Sequence, residues 1–108
     1  MTRYRVRLTA EAERDLVDVF EYIAAKDTAA AAWQVFDELE RRILALDTQP
    51  ERGNYLPELL EHGIKDFREL HCKPYRIMYE VSGSQVMVLA CLDGRRDMQS
   101  LLERRLLR

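Results

Sequence analysis

The chain has 108 residues, 47% of them hydrophobic and 33% charged, with few Gly or Pro; this fits one domain over residues 1–108 burying roughly two-thirds of its unfolded surface, and excludes disordered and fibrous classes. A formal charge of -2, from 17 basic and 19 acidic residues, argues against affinity built on phosphate neutralisation over the whole surface, so direct nucleic-acid binding is not expected of the chain except within a complex with a partner protein. The opening MTRYRVRLTA lacks the apolar core of a signal peptide and no segment approaches a membrane span, so a cytoplasmic protein with no membrane contact is expected.

Arg3 to Leu8 alternates, with Tyr4, Val6 and Leu8 on one side and Arg3, Arg5 and Arg7 on the other, the period of a short, half-buried edge strand. Thr9 caps a helix whose first turn carries Glu11 and Glu13, and whose apolar stripe is Ala12, Leu16, Val19, Phe20 and Ile23 up to about Lys26. Asp27 or Thr28 caps a second helix with Ala32, Phe36, Leu39, Ile43 and Leu46 on one face, reaching about Asp47. So short a connection predicts an antiparallel helical hairpin. Trp33, one residue off that stripe, is expected to pack on the first helix. Thr48 to Ile64 contains Pro50, Gly53, Pro57 and Gly63 and reads as a long connection with a turn of helix at Pro57 to Glu61.

From Lys65 the pattern is β. Two-residue turns at Lys73-Pro74 and Gly83-Ser84 predict a three-stranded meander pairing Cys72 with Tyr75, His71 with Arg76, Val81 with Val86 and Arg76 with Cys91. In this register Leu70, Ile77, Tyr79, Val81, Val86, Val88, Ala90 and Leu92 share the core face. Phe67, Glu69, His71, Arg76, Met78, Glu80, Met87, Leu89 and Cys91 share the other, a mixed surface expected to be exposed for binding. Cys72 and Cys91 then point to opposite sides and lack the paired spacing of a zinc site, so free thiols and no metal are expected. Asp97 caps a last helix with Met98, Leu101, Leu102 and Leu106 on its stripe. The expected order is βααβββα in an α+β fold.

Arg76, mid-strand, has a planar fork suited to a phosphate or carboxylate; a cross-strand salt bridge to Glu69 or Glu80 is the alternative. Arg95 and Arg96 lie between the last strand and the last helix, close to that helix's N-terminus, where backbone N–H groups also attract anions; a solvated turn is the alternative. Glu69 and His71 alternate on one face and have the chemistry to move protons in RNA cleavage. Arg104, Arg105 and Arg108 make the end of the chain basic.

The segments PYRIMYEV from Pro74, VMVLACL from Val86, GRRD from Gly94 and the final leucines, after a strand, a helical hairpin and a turn with Pro50, resemble the RelE/ParE superfamily of toxins from type II toxin–antitoxin modules, and most of all its ParE branch of plasmid-stabilisation proteins. The resemblance implies no cofactor and a cognate antitoxin that wraps and silences the toxin. RelE-like members are ribosome-dependent mRNA endoribonucleases. Arg76 and Arg95 match the arginine positions of that pattern, with His71 and Glu69 as proton carriers, but Phe67 and Glu69 stand where lysines are expected and Leu101 at the late tyrosine position. ParE-like members inhibit DNA gyrase without being enzymes. Their toxic region maps onto Arg95, Arg96 and the segment from Met98 to Arg108, here Met98, Leu101, Leu102 and Arg105, with Arg76 as a further contact residue. Asp93 departs from the histidine that many relatives carry before the glycine. The expectation is a gyrase inhibitor; the alternatives are an mRNA interferase and a degenerate toxin that retains only antitoxin binding.

Overall fold

The Thr9 hydroxyl accepts a hydrogen bond from the Ala12 N–H at 3.0 Å and starts α1 (Ala10–Lys26), with Glu11 and Glu13 at the positive end of its dipole. Thr28, rather than Asp27, does the same for α2 (Ala29–Leu44) through the Ala31 N–H. The connection between them is too short for anything but an antiparallel pair, and a short 3-10 turn, Ala45–Asp47, extends α2 to the predicted limit. These observations come from a computed structural model that describes residues 3–106.

The helical pair covers one face of a five-stranded sheet of order β1-β5-β4-β3-β2, formed by β1 (Arg5–Leu8), β2 (Asn54–Tyr55), β3 (Arg68–Cys72), β4 (Tyr75–Ser82) and β5 (Gln85–Asp93). β1 is an edge strand, as its alternation predicts, and runs parallel to β5 with Val6 beside Val86. The predicted turns hold: His71 pairs with Arg76, Cys72 with Tyr75 and Val81 with Val86. β2 is an addition, a two-residue strand inside the long connection. Arg68 holds that connection in place, donating to the Glu51 and Gly53 carbonyls at 2.9 Å and stacking over the Tyr55 ring.

The meander departs from its expected register at one point. Met78 pairs with Ala90 but Tyr79 pairs with Val88, so Leu89 is an extra residue, a β-bulge. Beyond it Arg76 faces Leu92 rather than Cys91, and every following side chain of β5 changes sides. Ala90 and Leu92 thus leave the predicted core face and Cys91 joins it, packing with Ile77, Tyr79, Val86 and Val88 under α1 and α2. Cys72 packs against the same cluster, so the two cysteines share a face instead of pointing apart; both are free.

The opposite face is a second core, which corrects the expectation of an open mixed surface. Met78, Ala90 and Leu92 pack there with Leu56 and Leu59, beside and within α3 (Pro57–Leu60), and with Met98, Leu101 and Leu102 of α4 (Met98–Leu106). Asp97 caps α4 as predicted, accepting from the Ser100 N–H at 3.3 Å. Among the described residues no helix is long and apolar enough to cross a membrane.

Candidate functional site

Arg76 projects from β4 between α3 and the end of β5, beside a cleft of about 310 Å3. Its fork is full. The two terminal nitrogens donate to the two oxygens of Glu58, each at 2.8 Å, and Nε donates to Glu69 Oε1. The residue is 9% exposed and Glu69 3%. Glu58 holds the guanidinium in its charged form, raising its pKa further, while Arg76 holds the Glu58 carboxyl below its usual range. His71 Nε2 lies 3.2 Å from the second Glu69 oxygen but is itself solvent-exposed.

The geometry joins three of the predicted groups in one place and removes the one property the expectation needed. Arg76, Glu69 and His71 are adjacent, yet Arg76 is buried in a carboxylate cage rather than free to grip an incoming phosphate. Of the two salt-bridge partners weighed from sequence, Glu69 is real and Glu80 is not among its contacts. Glu58, 18 residues away in the chain, is the partner that pattern reasoning missed; no periodicity links a loop helix to a strand. Gly94 completes the cage, since a Cβ there would meet Arg76 Cδ at 3.0 Å.

The basic turn stays outside. Arg95 is the most open of the paired arginines, with 77% of its side chain exposed, but Asp93 accepts from its Nε, its terminal nitrogen and its backbone N–H at 2.6 to 3.0 Å. That clasp pulls the Asp93 pKa down to about 2. Arg96 is exposed; its backbone N–H donates to the Asp93 carbonyl at 3.2 Å, and its side chain makes no hydrogen bond or ion pair among the described residues.

On α4 the expectation of a contact surface meets a structural one. Met98, Leu101 and Leu102 are buried in the second core, and Arg105 is tied to Asp15 of α1 by two bonds of 2.8 and 3.1 Å. The exposed face of the helix carries Gln99, Glu103 and Arg104 instead. Among the described residues no cluster of histidine, cysteine or carboxylate groups has the make-up of a metal site.

Comparison with known proteins matches this architecture. A family model described as ParE toxin of type II toxin-antitoxin system, parDE, matches residues 6–98. A solved chromosomal ParDE system from P. aeruginosa is similar in fold, with a TM-score of 0.69 and 15% identity over 82% of this chain and 94% of that one. The toxin–antitoxin complex RelBE2 from Mycobacterium tuberculosis gives a TM-score of 0.58 and 24% identity over 86% and 93%. No curated protein matches the sequence.

Proposed function

The chain belongs to the ParE toxin family of type II toxin–antitoxin systems, and from that membership we propose that it poisons DNA gyrase as a non-enzymatic inhibitor, is held inactive by a cognate antitoxin, and works in the cytoplasm. The observation that carries the choice of target is the closed fork of Arg76. Two carboxylates, Glu58 and Glu69, occupy the guanidinium from both sides. A scissile phosphate brought to that cleft meets negative charge and no free arginine, which disfavours phosphodiester chemistry there.

The surface offered to a macromolecule is instead the Arg95–Arg96 turn and the outer face of α4. Charges of this kind steer association without covalent chemistry. The antitoxin reading draws on exposed Val17, Tyr22, Trp33 and Leu44 on the helical hairpin, apolar groups that a wrapped partner would bury.

One experiment separates the targets. Purified protein is added to gyrase supercoiling assays and to ribosomes carrying a defined mRNA. Inhibited supercoiling with intact message is expected. Cut message with normal supercoiling would transfer the protein to the RelE class, where the His71–Glu69 contact beside Arg76 becomes the reacting pair. Inertness in both, together with unaffected growth on expression without antitoxin, would mark a degenerate toxin.

A further inference from the structure

Two tyrosines on β4 are buried, Tyr79 completely and Tyr75 all but 9%, and only the first has its hydroxyl hydrogen-bonded among the described residues. The Tyr79 hydroxyl donates to the Pro50 carbonyl at 2.6 Å and accepts from the Gly53 N–H at 3.0 Å. Tyr75 is 9% exposed and its hydroxyl has no hydrogen-bond partner among the described residues. No side-chain polar atom of the described residues is both sealed from solvent and unpartnered, so that hydroxyl keeps contact with solvent, and Tyr75 lines two clefts. Its neighbours identify which one: burial raises the Tyr75 pKa, and the nearby groups that act on it include Asp93, Cys91 and Tyr22. All three line a cleft of about 350 Å3 between α1 and the end of β5, apart from the one beside Arg76.

The cleft is built by helical spacing. Asp15, Asp18, Val19 and Tyr22 stand at one-turn intervals on α1 and form one wall. Asp15 is already spent on Arg105 and on the Cys91 N–H, and Asp93 on Arg95. The Asp18 side chain makes no hydrogen bond or ion pair among the described residues, although its charge acts on Arg105 from a distance. The uncommitted groups are therefore a carboxylate, two phenol oxygens and, at the mouth, Arg96. Val19 and Leu92 supply an apolar lining. Tyr22 is exposed, and its ring already takes the Lys26 ammonium at 5.6 Å, which shows a face that accepts cations.

We propose that this cleft receives a basic side chain, arginine or lysine, projected by a polypeptide partner. The aliphatic stem lies on Val19 and Leu92, the charged head meets Asp18 and the Tyr22 ring, and a head-group N–H fills the acceptor valence of Tyr75. An anionic guest fits worse, because three aspartates and a single arginine line the cavity. A purely apolar guest leaves the Tyr75 oxygen and the Asp18 carboxylate dry and unpaired. The inference does not depend on which macromolecule the toxin attacks.

The test uses the full-length protein, titrated by amide NMR with N-acetyl-arginine methylamide and with its neutral counterpart N-acetyl-norleucine methylamide. Saturable shifts at Val19, Tyr22, Leu92 and Asp93 are expected for arginine, with affinity at least about fivefold above norleucine, the worth of one hydrogen bond or ion contact. Asp18→Asn and Tyr75→Phe, both conservative in shape, should each weaken arginine by about fivefold. Equal binding of norleucine, tighter binding of N-acetyl-aspartate methylamide, no saturable shift at these residues, or indifference to both variants would each overturn it.

Discussion

Asp15 on α1 and Arg105 on α4, 90 residues apart in the chain, form a two-pronged ion pair that also closes the backbone of the β5 bulge. Asp15 Oδ2 accepts from the Cys91 N–H at 3.0 Å, and Arg105 donates to the Leu89 carbonyl at 3.4 Å. An extra residue in a ladder leaves backbone groups without strand partners. Here the pair that supplies them also straps the last helix to the first.

Asp15→Ala should therefore cost about 3 kcal/mol of folding stability, since it strands both a partly buried guanidinium and a buried N–H. Urea denaturation measures it. A loss under about 1 kcal/mol, the worth of one ordinary hydrogen bond, would mean that the strap is ornamental.

Arg76→Met should destabilise by about 3–5 kcal/mol, because Glu69 is left charged and enclosed. Adding Glu69→Gln should restore much of the loss, and the double-mutant cycle reads the coupling directly. A stably folded Arg76→Met protein that merely loses toxicity would instead return Arg76 to the role of a contact residue.

Acid should loosen the same cage. The Glu58 carboxyl has a lower pKa folded than unfolded, so its stabilisation is complete above the unfolded value, about 4.3, and is lost as pH falls through the lower folded value. The melting temperature should drop below about pH 4.3, and Glu58→Gln should flatten that drop while lowering stability at neutral pH. Parallel curves for the two proteins would show that Glu58 is not the titrating group.

At the basic turn, Asp93→Asn removes the carboxylate charge that clasps Arg95. Growth arrest on expression without antitoxin should become stronger, while Arg95→Ala with Arg96→Ala should abolish it, the latter with little change in melting temperature because both arginine side chains are exposed. Toxicity that ignores both changes would move the active surface elsewhere.

Gly53→Ala should be worse tolerated than Gly94→Ala. A Cβ at Gly53 collides with the Tyr79 hydroxyl and lies 2.7 Å from the Glu69 carbonyl, whereas at Gly94 the nearest atom is the movable Arg76 Cδ at 3.0 Å. We expect a loss of about 2–3 kcal/mol at Gly53 and about half that at Gly94, by thermal unfolding. The reverse order would contradict the packing around Tyr79.

The helices, the two tight turns and the edge strand are legible in sequence because each rests on local chemistry: Thr9 and Thr28 as caps, Lys73-Pro74 and Gly83-Ser84 as turns, Arg-Val-Arg-Leu as alternation. The bulge is not. Val88-Leu89-Ala90-Cys91-Leu92 is apolar throughout, so neither face declares itself and a one-residue slip leaves no mark in the pattern. The second core was hidden for a related reason: Leu56 caps and Leu59 belongs to a four-residue helix, α3, too short to show a period. At the site, His71, Glu69 and Arg76 follow from strand alternation. Glu58 and Asp15 do not, since both reach their arginines across tertiary distance.

The parallel neighbour of β1 is β5, so Arg5 waits for Gln85. A strand made early thus has no lateral partner until residues 85–88 follow it out of the ribosome, and closing so long a loop slows the assembly of this sheet. The helical hairpin, built from neighbouring residues, can therefore form well before the sheet that it covers is closed at its β1 edge.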